Sequence, residues 1–194
     1  MNGINLEFFI KKISYSVGEN IDLSQVPMLM KRKLSPVGKI ALSTMLECYD
    51  GSDDLKLCYA SRYGELERVL KLIKQKNEEN EISPTGFSFS VHNSTIGFFS
   101  LLKNLHHSYN SVAAGEDTFA CGLLDAVMNG GKTLFCYAES VDRYESVSIL
   151  IDEKDGERVR LKSNNEKLES NSFTEFLKGG RYICPLYIME RVND

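Results

Sequence analysis

The residues that could do covalent or acid–base chemistry gather around one bend in the chain. The stretch from Ser108 to Ser140, SYNSVAAGEDTFACGLLDAVMNGGKTLFCYAES, reads as strand, tight turn, helix and strand. A strand that turns abruptly into a helix exposes one residue beside free backbone N–H groups, a place where several enzyme folds hold a nucleophile. Here the residue at the bend, between Ala113 and Gly115, is Ala114, and a methyl group cannot attack a carbonyl. Cys121 lies seven residues on, two helical turns and about 10 Å further in, and reads as a small buried hydrophobe. Glu116 and Asp117 could form a general-base pair, but acid in a first helical turn is explained more simply by the helix dipole and solvation. Ser111 with His92 would suit an acyl hydrolase. His106-His107 follows a helix end, where cations are favourable, and metal binding would need further ligands that the sequence does not name.

The elements that position these residues follow from periodicity and punctuation. Leu6 to Tyr15 alternates as a strand, Ser35-Pro36 opens a helix carrying Val37, Ile40, Ala41, Met45 and Leu46, and Leu55 to Ala60 is a mostly apolar strand. Glu65 to Lys76 is an amphipathic helix, Phe87 to Val91 a short strand or extended loop, and Ile96 to Leu105 an apolar helix. At the bend, Ala114-Gly115 turns the short strand Tyr109 to Ala113 into a helix with Phe119, Leu123, Ala126 and Val127 on one face. Gly130-Gly131 ends that helix before the strand Thr133 to Tyr137. Ser146 to Asp152 and Arg158 to Lys162 flank Lys154-Asp155-Gly156, the pattern of a β-hairpin. Phe173 to Lys178 is a short helix and Tyr182 to Met189 a last strand. The alternation predicts an α/β fold with a mostly parallel sheet, helices on its faces and a β-rich tail. We expect one domain over 1–150 and a β-rich extension of it over 151–194.

Composition narrows the classes of function. The chain has 194 residues, 42% hydrophobic and 26% charged, with a formal charge of −4, so a nucleic-acid partner, which favours a basic face, is not expected. No apolar run reaches the roughly 18 residues of a membrane span, and the N-terminus lacks the order of a signal peptide. A cytoplasmic location is expected. Five cysteines without a CxxC pair suggest neither a disulfide framework nor a zinc site, and no metal or cofactor is expected.

Three segments carry a resemblance that spacing alone does not supply: LCYASRYGELERVLKLI at 57–73, ISPTGFSFSVHNSTIG at 82–97 and SYNSVAAGEDTFACGLLDAV at 108–127. With them the chain resembles the N-terminal half of a β-ketoacyl synthase, a thiolase-fold condensing enzyme. It is most similar to the short chain-length-factor subunits of aryl polyene and related type II polyketide or fatty-acid clusters. The resemblance implies half of a thiolase-like fold, with the nucleophile position on Ala114, the family glycine on Gly122, and the two catalytic histidines in a C-terminal half that this chain does not include. It therefore implies a non-catalytic subunit that heterodimerises with a full-length β-ketoacyl synthase and shapes its acyl tunnel during elongation on acyl carrier protein, itself a transient partner. On the same footing, Ser108, Tyr109, Asn110, Ser111 and Val112 would form the dimer edge. Phe87, Phe89, Val91, His92 and Asn93 would wall the partner's tunnel, with His92-Asn93 fixing that loop by hydrogen bonding. The rival readings are an independent thioester hydrolase and a module that binds acyl carrier protein without catalysis.

Overall fold

The computed structural model describes residues 3–18, 21–141 and 143–192. Its elements in chain order are β1 (Asn5–Val17), α1 (Met28–Lys31), α2 (Pro36–Cys48), β2 (Lys56–Ala60), α3 (Leu66–Glu79), α4 (Pro84–Ser88), α5 (Ser94–Lys103) and β3 (Tyr109–Val112). A 3₁₀ turn (Gly115–Asp117) then leads into α6 (Thr118–Met128), β4 (Thr133–Glu139), β5 (Glu145–Asp152), β6 (Glu157–Ser163), α7 (Phe173–Leu177), β7 (Tyr182–Ile183) and β8 (Tyr187–Arg191). The eight strands make one sheet in the order β3-β2-β4-β5-β1-β6-β8-β7.

Strand alternation divides the apolar side chains between the two faces of this sheet. In β4, Leu134, Cys136 and Ala138 join Ile40, Met45, Ile96 and Phe99 beneath α2 and α5. Phe135 on the other face joins Leu123, Ala126, Ile149 and Phe176 beneath α6 and α7. Helix α2 starts where Ser35 Oγ accepts from the Gly38 N–H at 3.1 Å, with Pro36 in the first turn.

The α/β class holds, but the sheet is mixed rather than mostly parallel. Only β2 runs parallel to its neighbours, β3 and β4, and the other five pairings are antiparallel. The reason is connectivity: β2, β3 and β4 are joined through helices, which permits parallel pairing, whereas only five residues, 140–144, separate β4 from β5.

β5 and β6 do not form the expected hairpin. They lie on opposite sides of β1, β5 pairing with it from Phe9 to Val17 and β6 from Asn5 to Ile10. The chain thus runs on in one direction and crosses β1 where its register shifts, between Ile10 and Lys12. Gly156 (φ +127°) makes the crossing, and a Cβ there would sit 2.4 Å from Ile10 O, so the turn signal is a close backbone approach rather than a reversal. Tyr182 to Met189 is likewise two strands, β7 and β8, folded back around Pro185.

The segment at 84–91 is neither strand nor extended loop. Ser83 Oγ accepts from the Gly86 N–H at 3.1 Å and Pro84 follows it, so a helix begins here. Phe87, Phe89 and Val91 therefore do not share one side. Phe87 and Val91 are exposed, while Phe89 packs on Phe98 with ring centroids 5.0 Å apart.

Candidate functional site at the β3–α6 elbow

Strands β2, β3 and β4 end together, and the bend after β3 stands among their C-terminal loops. Ala113, Ala114 and Gly115 are exposed. Gly115 takes φ +59°, which a residue with a Cβ adopts only under strain. The bend is held from inside: the Ala114 N–H donates to Thr118 Oγ1 at 2.9 Å and the Thr118 hydroxyl donates to Gly115 O at 2.7 Å. Thr118 is buried. Helix α6 then lies very close to the sheet, because Gly122 has no side chain. A Cβ there would come within 2.6 Å of Ala60 Cβ and 2.9 Å of Phe135 Cε2.

The loop after β2 is tied to both neighbours. Ser61 Oγ donates to Glu139 Oε1 at 3.3 Å and the Arg62 N–H donates to the same oxygen. His92 Nε2 donates to Ser61 O at 2.7 Å, and Arg62 pairs with Glu116 at 2.6 Å. A second buried carboxylate, Glu65, accepts from Ser35, Ser94 and Thr95 through Oε1 and from Arg68 through Oε2. It thereby joins the starts of α2, α3 and α5. Sequence reading passed over Ser61, Glu65 and Glu139. The one local signal was Glu139 closing an otherwise apolar strand.

This arrangement offers no catalytic set among the described residues. Ser111 and His92 line one cavity of about 520 Å³, but Ser111 Oγ is buried without a hydrogen-bond partner, so His92 does not activate it. Glu116 is exposed and paired with Arg62, so it is engaged by a cation rather than by Asp117. Cys121 is partly exposed, and burial pushes its thiol above the ordinary range. His106 and His107 are exposed before β3, at the opposite end of that strand from Ala114, with His107 3.7 Å from Asp54. No group of three or more His, Cys, Asp or Glu residues among those described could hold a metal ion.

Strand β3 is the edge of the sheet. The register, with Leu57 N–H donating to Ser108 O and Ser61 N–H to Val112 O, turns the backbone of Asn110 and Val112 toward β2 and that of Tyr109 and Ser111 outward. Tyr109 is exposed, and so are Val91 and Leu101 nearby in the sequence.

Comparison with known proteins places this geometry. A family model described as the β-ketoacyl synthase N-terminal domain matches residues 11–132, more than half of the chain. No curated protein matches. Among solved structures, the chain is similar to one chain of the complex of the ketosynthase ApeO with its chain length factor ApeC from Xenorhabdus doucetiae, at a TM-score of 0.78 and 22% identity. That match covers 96% of this chain and 100% of the other. The ishigamide ketosynthase/chain length factor is similar at a TM-score of 0.59 and 13% identity, over 73% of this chain and 51% of that one. Both likenesses show the fold, half of a thiolase-like architecture. With its elbow, its three-strand parallel core and the match across residues 11–132, the chain belongs to the family of β-ketoacyl synthase N-terminal domains.

Proposed function

We propose that this protein is a non-catalytic, chain-length-factor-type subunit that pairs with a full-length β-ketoacyl synthase and shapes acyl elongation on acyl carrier protein. The observation that carries the reading is the elbow itself, an exposed strand-to-helix bend that holds the methyl of Ala114 where the resemblance implies a nucleophile, with the Ala114 N–H taken up by Thr118. Two features support a partner. The outer edge of β3 presents unpaired backbone groups, a template for another strand. Helix α3 has no buried residue, although Leu70 and Ile73 lie on its surface. The solved structure with the TM-score of 0.78 is itself described as a ketosynthase in complex with its chain length factor. Polyene or polyketide elongation and contact with acyl carrier protein belong to this reading, with β3 as the dimer edge and the exposed Phe87 and Val91 against the partner. Five free thiols, four of them buried, suit a reducing compartment such as the cytoplasm.

The test is co-expression with a candidate ketosynthase, followed by co-purification and an elongation assay with acyl and malonyl carrier proteins. A stoichiometric complex that elongates, beside an isolated chain that does not, supports the reading. Elongation or thioester cleavage by the isolated chain would overturn it.

A further inference from the structure

Beside the elbow, on the face of the sheet that carries α6, two adjoining cavities of about 380 and 220 Å³ share Glu116, Tyr137, Arg143 and Glu145 as walls. Glu139 also lines the first. It is only 5% exposed; its Oε1 accepts from Ser61 and Arg62 and the Tyr63 backbone N–H also draws on the carboxylate, while its buried Oε2 has no hydrogen bond of ordinary geometry. An unpartnered carboxylate oxygen in such a place is costly unless a donor reaches it. Glu145 stands directly opposite Glu139 in the antiparallel register of β4 and β5, an arrangement of like charges that is unfavourable without a cation between or beside them. The second cavity continues the first with aromatic walls, including Tyr15, Phe119 and Tyr182. Phe119 meets Tyr137 and Tyr182 edge-on at 5.5 and 5.3 Å between centroids.

The charges of this cleft do not cancel. Glu116, Glu139 and Glu145 face Arg62 and Arg143, three acids against two bases, and Arg62 is engaged by Glu116 at 2.6 Å. A divalent metal is not suited, since no cluster of three or more ligating side chains exists among the described residues. A single organic cation meets each condition: it supplies N–H donors for the free oxygen, neutralises the excess acid, and rests its apolar stem and charge on aromatic faces.

We propose that the cleft walled by Glu139, Glu145 and Tyr137 binds an alkylammonium or alkylguanidinium group. Such a group is carried by a free amine and equally by a Lys or Arg side chain of a partner. The site does not depend on the chain-length-factor reading, and the isolated chain is sufficient to test it. The isolated chain is titrated with n-butylammonium and n-butylguanidinium chloride against sodium chloride at equal ionic strength, and followed by NMR chemical shifts. The expected result is saturable binding of at least one organic cation, weakened tenfold or more by Glu139→Gln and by Glu145→Gln. Glu145 is only half buried, so its variant keeps the test sound if Glu139→Gln alters the fold. Absence of saturable binding, or binding that neither variant changes, would overturn the proposal. Repeating the titration on a ketosynthase heterodimer separates the two sources: retained binding points to a free amine, and lost binding to a partner side chain that already fills the cleft.

Discussion

The main-chain N–H of Ala114 is bonded to the hydroxyl of Thr118, 2.9 Å away within the same turn. The bend therefore lacks both an attacking atom and this free donor. Ala114→Cys restores only the atom: its thiol stands on an exposed bend, whereas the Cys48 thiol is pushed up to about 12 by burial. We predict fast alkylation of the new cysteine by iodoacetamide and slow alkylation of Cys48, Cys58, Cys136 and Cys184, read by mass spectrometry. No elongated product should form, because His92 is held by Ser61 and the other two histidines lie at the far end of β3. Condensing activity in this single variant would contradict the reading.

Ser111→Pro tests the open edge. The Ser111 backbone faces away from β2, so a proline there removes an outward donor while sparing the ladder to β2. The melting temperature of the isolated chain should change by only a few degrees, and affinity for a ketosynthase should fall about tenfold or more. An unchanged affinity would rule this edge out as the interface.

The two phenylalanines near α4 should behave differently. Phe87 is 63% exposed, and Phe87→Ala is expected to leave folding within about 0.5 kcal/mol of the parent while altering complex formation or product length. Phe89 packs on Phe98, with Lys33 5.7 Å above its ring. Phe89→Ala should cost about 2 kcal/mol, less than the 3–5 kcal/mol of a fully buried ring. Denaturant titration beside product analysis distinguishes them, and equal stability losses would show that Phe87 is a packing residue too.

Gly122→Ala sets a methyl against Ala60 and Phe135 at 2.6 and 2.9 Å, so α6 must lift from the sheet, at a cost of about 1–3 kcal/mol. Gly156→Ala should cost more, because both its φ of +127° and the 2.4 Å approach to Ile10 O forbid a side chain. Urea midpoints of the two variants give the order directly.

Burial raises the Glu139 carboxyl above its ordinary value near 4.5, against the opposing pull of the Arg62 and Tyr63 backbone, Ser61 and His92. The folded chain therefore binds this proton more tightly than the unfolded chain. The resulting stability is complete below the unfolded value and is lost as pH rises through the raised folded value. Glu139→Gln removes the dependence and can still accept from Ser61 and Arg62. Its melting temperature should gain on the parent as pH rises above the ordinary carboxyl value near 4.5. A gap that narrows over that range would show that the native carboxylate has a partner.

The readable parts of the fold were those with local causes. The elbow announced itself through Ala114-Gly115 and the acids after it, and α2 through Ser35-Pro36, because caps and turns are written in adjacent residues. Ser83-Pro84 carried the same cap, but the alternation of Phe87, Phe89 and Val91 with serines outweighed it, and periodicity over five residues does not separate a turn of helix from a strand. Lys154-Asp155-Gly156 misled for another reason. Whether a glycine reverses the chain or lets it pass over another strand depends on β1, nearly 150 residues earlier. Glu65 had no local signature and Glu139 only its place at the end of an apolar strand, since their partners come from separate loops.

The crossing at Gly156 has a consequence for how this protein can be divided and made. β1 is flanked on both sides by strands that lie beyond residue 144, so a fragment cut at residue 140 would leave the first strand of the sheet with neither neighbour. The segment of family likeness, residues 11–132, thus includes most of β1 but neither of the strands that flank it. During synthesis from the N-terminus, β1 must remain unpaired until β5, residues 145–152, has been made, and its apolar residues Phe8 and Ile10 stay open to wrong partners throughout that interval.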